Sequence, residues 1–101
     1  MATPALDPDH IRSALLALPR WTFADDALLR SYHFADFRTA VDFMLGCMDE
    51  IERMEHHPEW TNVFDRVSIR LRTHDAGDRV TIKDIELAKV LEWQANAYGA
   101  S

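Results

Sequence analysis

Apolar positions along the chain follow two spacings, one helical and one alternating, and their order sets the expected architecture. Residues 1–6 read as a loose tail. Asp7-Pro8-Asp9 then has the form of a helix start: Asp7 caps, Pro8 suits the first helical position and Asp9 complements the dipole. Ile11, Leu15 and Leu18 share one face, and Pro19 closes the helix. Trp21–Ala24 reads as a short strand, Asp25-Asp26-Ala27 as a turn, and Leu28–Phe34 as the returning strand. In that strand Leu28, Tyr32 and Phe34 face one way, and Arg30 interrupts the pattern.

Asp36 can cap a second helix whose stripe is Phe37, Val41, Met44, Leu45, Met48 and Ile51. It must end near His57, which precedes Pro58. Val67, Ile69 and Leu71 alternate with Ser68, Arg70 and Arg72, the mark of a half-buried strand, with His74 near its end on the polar parity. Residues 75–78 read as a turn and Arg79-Val80 as a short returning strand. Thr81 precedes Asp84 by three positions, a capping box with Asp in place of Glu. Ile82, Ile85, Ala88, Val90 and Leu91 support a third helix to about Tyr98, with residues 99–101 fraying. The predicted order is α-β-β-α-β-β-α. That is an α+β fold, with a four-stranded antiparallel sheet and three helices on one face.

At 101 residues the chain suits one domain, and so small a core gains from burying a further apolar face in an oligomer. The net charge of −6 disfavours direct nucleic-acid binding and adhesion to an anionic membrane, since phosphate neutralisation supplies most nucleic-acid affinity. No apolar run approaches the roughly 20 residues of a membrane span. The first ten residues lack the basic and apolar regions of a secretory signal. The single cysteine, Cys47, lies in an apolar helical stretch and reads as a buried thiol. A cytoplasmic address is the expectation.

The candidate chemistry is concentrated in Glu52-Arg53-Met54-Glu55-His56-His57-Pro58-Glu59-Trp60. Histidine is the usual side chain for proton transfer near neutrality, with an ordinary pKa of ~6.5. Pro58 breaks helical geometry, so both rings can line one cleft, and Trp60 offers a flat surface for stacking. The pair can equally serve the dipole of a helix end, and Trp60 can be core. A metal site built from His56, His57 and His74 is a rival, but adjacent histidines rarely chelate one ion, and the i, i+4 helical spacing is absent. Neither a nucleophile elbow nor a glycine-rich phosphate loop occurs. His10 and His33 read as solvent-facing.

His56-His57-Pro58-Glu59-Trp60 resembles the pterin-4a-carbinolamine dehydratase family. The likeness extends in register to Glu52, Phe64, Val67, Thr73-His74, Thr81-Ile82-Lys83-Asp84 and Leu87-Ala88, and upstream to Trp21 and Phe34-Ala35-Asp36-Phe37. It covers roughly residues 6–95. The segment from His74 to Asp84 is one residue longer than usual, and Glu55 stands where the family often has Asp or Asn. The resemblance implies dehydration of a 4a-hydroxytetrahydropterin to the quinonoid dihydropterin, with no metal or cofactor. It implies that His56, His57 and His74 surround the pterin, with His56 and His74 in proton transfer and His57 orienting the ring. By the same resemblance Trp60 lies near the pterin, Glu52 holds a histidine, and Glu55, Lys83 and Asp84 line or close the pocket. The implied partners are a small-molecule pterin and further copies of the chain, as a homodimer or homotetramer. The competing expectation is a non-catalytic protein-binding or assembly module of the same fold.

Overall fold

The computed structural model describes residues 3–101. Helix α1 (Pro8–Leu15) is capped by Asp7, whose carboxylate accepts the His10 N–H at 2.8 Å, and Pro8 opens it. It ends earlier than Pro19 would dictate. The N–H groups of Leu16, Ala17 and Leu18 turn to carbonyls three residues back, and these tight turns still deliver Leu18 to the core. Strands β1 (Thr22–Ala24) and β2 (Ala27–His33) pair around Asp25-Asp26, both at positive φ (53° and 59°). Such backbone gives a two-residue loop the twist a hairpin needs. Helix α2 (Phe37–Met54) follows, capped by Asp36, whose side chain accepts from the Thr39 N–H at 2.8 Å and the Thr39 hydroxyl at 2.7 Å.

The second hairpin is not the one the alternation suggested. Strand β3 (Glu59–Val63) precedes β4 (Arg66–Leu71), so the returning strand comes before Val67 rather than after His74. Arg79-Val80 contributes only an isolated bridge, Thr73 to Arg79. Residues 74–76 form one 3₁₀ turn closed by Gly77 at φ 75°. Helix α3 (Ile82–Ala97) completes the order α-β-β-α-β-β-α.

The antiparallel sheet runs β1-β2-β4-β3. Its inner face, with Leu28, Tyr32, Val67, Ile69 and Leu71, packs beneath the helices against Phe43, Cys47, Ile85, Leu87 and Leu91. Arg30, which broke the alternation, also points inward. Its guanidinium lies 4.2 Å from the Tyr32 ring centroid and 3.7 Å from Glu92 Oε1. The opposite face carries Leu29, Ser31, Thr61, Ser68 and Arg70 and is left uncovered. Of the tail expected to be loose, residues 1 and 2 lie outside the described residues. Leu6 is tied down through its N–H to the Val80 carbonyl at 2.9 Å. Ser101 exchanges backbone hydrogen bonds with His33. No helix among the described residues is long and apolar enough to cross a membrane.

Candidate functional site

The site forms where α2 stops, β4 ends and α3 starts. Glu55 terminates α2 in the left-handed region (φ 50°), its N–H donating to the Glu52 carbonyl and the His56 N–H to the Ile51 carbonyl. That reversal turns His56 inward and leaves His57 outward ahead of Pro58. Beyond Leu71, Thr73 keeps an inward parity and is buried, while His74 emerges to solvent. The capping box of α3 is formed: the Thr81 hydroxyl accepts from the α3 backbone and Asp84 accepts the Thr81 N–H at 2.9 Å.

Asp84 is completely buried, with partners on both carboxylate oxygens. Besides the Thr81 N–H it accepts the Thr73 hydroxyl at 2.8 Å, and its Oδ1 lies 2.6 Å from His56 Nε2. The Thr73 and Thr81 hydroxyls lie 2.7 Å apart, which closes the network. With both Asp84 oxygens accepting, His56 donates from Nε2, and in the neutral ring Nδ1 is then the acceptor. The other two histidines also have carboxylate partners: His57 Nε2 lies 3.1 Å from Glu52 Oε1, and His74 Nδ1 lies 3.2 Å from Asp78 Oδ1.

His56, His57 and His74 line one cavity of about 270 Å³, with Glu55, Arg72 and Lys83 among its other walls. A second cavity of about 380 Å³ adjoins it, sharing His57, Arg72 and His74 and adding Pro58, Glu59 and Arg70.

A family profile described as pterin 4 alpha carbinolamine dehydratase matches residues 4–93. The chain belongs to the pterin 4 alpha carbinolamine dehydratase family. A relative from Opitutus terrae, which carries that dehydratase name provisionally, is 50% identical over 81% of this chain and 84% of its own. One from Solibacter usitatus, named in the same provisional way, is 46% identical over 89% and 94%. A crystal structure from Brucella melitensis, titled transcriptional coactivator/pterin dehydratase, superposes with a TM-score of 0.85 at 38% identity. It covers 90% of this chain and 98% of that one.

Against the residues the family resemblance singled out, the geometry divides. His56, His57, His74, Glu55 and Lys83 share the cavity. Asp84 stands behind it as the partner of His56, and Glu52 stands outside it as the partner of His57. Trp60 lies elsewhere. On β3 it pairs with Ile69, has inward parity, and lines an apolar groove of about 320 Å³ with Val41, Met44, Leu45 and Met48 of α2. The physical reason is the β3 strand itself: alternation from Glu59 sends position 60 to the helix side of the sheet. Arg72, Thr73 and Asp78 were not anticipated as site residues. The i, i+4 spacing of His74 and Asp78 was the available signal for the last of these. Between His74 and Asp84 the chain makes the 3₁₀ turn and passes through Gly77 and Asp78 (φ 58°), and Asp84 reaches the core.

Cys47 is buried, and desolvation pushes its thiol up to about 12, which leaves it un-ionised at neutral pH. Among the described residues no group of three His, Cys, Asp or Glu side chains is arranged to hold a metal ion.

Proposed function

We propose that the protein dehydrates a 4a-hydroxytetrahydropterin by histidine acid–base catalysis. The observation that carries this reading is the ring of three imidazoles around one cavity, each with a nitrogen bound to a carboxylate. In the substrate the N5 lone pair forms the N5=C4a bond as the C4a–O bond breaks. The hydroxyl leaves as water after taking a proton from an acid, and a base removes the proton from N5. The products are water and the quinonoid dihydropterin, with no change in overall redox state. Positioned acids and bases contribute ~10²–10⁴-fold to such steps. His56, held from behind by Asp84, and His74, at the mouth, are assigned to the two proton transfers. His57 orients the ring, and Lys83 and Glu55 flank it.

Stopped-flow dehydration of an enzymatically generated 4a-hydroxytetrahydropterin tests the reading. Quinonoid product should appear well ahead of the buffer rate. Product forming no faster than in buffer would discard catalysis and leave a binding module.

The binding reading has its own support. The Brucella structure's title names a transcriptional coactivator alongside pterin dehydratase. Leu45 and Met48 of α2 are exposed beside Trp60, and Phe37 at the start of the same helix is exposed too, an apolar surface unusual for a lone small chain. Self-association as a dimer or tetramer would cover it. Sedimentation of wild type and Leu45→Glu measures this, with the variant expected to run lighter.

A further inference from the structure

Strand β4 sends Val67, Ile69 and Leu71 into the core, so Arg70 and Arg72 stand two residues apart on the uncovered side of the sheet. Across the ladder Glu59 is the register partner of Arg70. Its carboxylate is divided: Oε2 lies 3.2 Å from Arg70 Nε and Oε1 lies 3.8 Å from a terminal nitrogen of Arg72. One carboxylate therefore serves two guanidiniums, and the other carboxylate lining the cavity these arginines share, Asp78, lies against His74 rather than against either arginine. The pairing with Glu59 is loose, since Arg70 Nε is shielded from solvent yet makes no aligned hydrogen bond.

These residues lie on a path leading away from the histidines. The cavity of about 270 Å³ around the imidazoles shares Arg72 with the neighbouring one of about 380 Å³. The latter shares Glu59 and Arg70 with a trough of about 420 Å³ on the open sheet. Hydroxyls floor that trough, Ser31 and Ser68 lying 3.0 Å apart with Thr61 in register beside them, and Arg20 stands at its side. A ring seated among the imidazoles would lie next to Arg72, with Arg70 in the adjoining cavity.

We propose that Arg70 and Arg72, sharing Glu59, form a subsite for an oxyanion on the substituent of the pterin. The substrate class is then a pterin with an acidic tail, a phosphate ester or a carboxylate, in preference to a neutral polyol. Guanidinium suits either group through paired N–H donors. This rests on the dehydratase reading and specifies its substrate.

The test compares kcat/KM for 4a-hydroxytetrahydropterins carrying a 6-methyl group, a neutral 6-polyol, the phosphate ester of that polyol, and a 6-carboxylate. An acidic tail should raise kcat/KM over the polyol by about tenfold, since hydrogen bonds to charged groups gain roughly that much after partial screening. The advantage should shrink at high salt. In Arg70→Ser/Arg72→Ser the acidic-to-neutral ratio should fall to about one, whatever the absolute rate. In Glu59→Gln, which removes the competing carboxylate, the ratio should rise. The phosphate and carboxylate arms show which oxyanion is taken. A wild-type ratio near one, or a ratio untouched by the arginine substitutions, overturns the subsite while turnover of the 6-methyl substrate leaves the dehydratase reading standing. If no pterin is turned over, calorimetric binding of the phosphate ester and the polyol reads the same ratio without chemistry.

Discussion

His56 Nε2 lies 2.6 Å from Asp84 Oδ1, joining the end of α2 to the first turn of α3 through a contact buried on both sides. Asp84 thus does two things, capping α3 and fixing which nitrogen of His56 is free. Substitution separates them. Asp84→Ala strips partners from Thr73, from the Thr81 N–H and from His56, and should cost about 3 kcal/mol in urea unfolding. Asp84→Asn keeps the shape but can present an NH₂ to Nε2, which moves the ring proton to Nδ1. The dehydration rate should then fall by roughly 10²-fold or more, the scale of a lost proton transfer, with a smaller stability loss. A wild-type rate in the Asn variant would remove the pair from the chemistry.

His74 and His56 differ in what their removal disturbs. The His74 side chain is 92% exposed, so His74→Ala should leave stability within about 0.5 kcal/mol. Its predicted effect is on rate alone, a drop of ~10²-fold. His56→Ala leaves a buried carboxylate oxygen unpartnered and should lose both rate and about 1–3 kcal/mol without unfolding the domain. Unchanged turnover in either variant cancels that residue's assignment.

Much of this arrangement was legible in the chain because its signals are local. Asp7-Pro8, Asp36 and Thr81-x-x-Asp84 each announce a helix start through short-range hydrogen bonds, and all three form. Strand β3 was hidden because its residues look like part of the histidine motif. Its loop, Phe64-Asp65, also lacks the glycine that marks most tight hairpins, although Phe64 takes φ 51°. The Asn62 side chain compensates by donating to the carbonyls of Phe64 and Arg66. Missing β3 also misplaced Trp60, since only a strand's alternation sends Glu59 to the open face and Trp60 to α2. Residues joined across the fold, such as Arg30 with Glu92 or Asp84 with His56, leave no trace in spacing.

Glu92 is the longest-range of these links. Its Oε1 accepts from Tyr32 OH at 2.6 Å and Trp21 Nε1 at 3.0 Å, with Arg30 at 3.7 Å, so α3 is tied to β2 and to the approach to β1. Burial, then the Glu92 hydrogen bond, push the Tyr32 hydroxyl well above its ordinary value and keep it a donor. Glu92→Ala should cost about 2–3 kcal/mol, because two buried donors lose their acceptor and Arg30 loses its counter-charge. Glu92→Gln should recover part of this. Urea melts of the two variants measure the difference, and equal stability in both with wild type would show the network to be redundant.

The acid limb of stability has a contributor at the other end of the helical layer. The Thr39 hydroxyl and N–H both donate to Asp36 and hold its carboxyl below the usual range. A folded-state pKa below the unfolded one means the ionised cap stabilises fully above the ordinary aspartate value of about 3.9. That contribution disappears as pH falls through the lower, folded value. Asn caps helices without titrating. Thermal midpoints of Asp36→Asn should therefore decline less steeply than wild type as pH falls below the ordinary aspartate range, where the ionised cap's contribution is lost. Parallel acid limbs would mean that other carboxylates govern acid unfolding and that the cap contributes little to it.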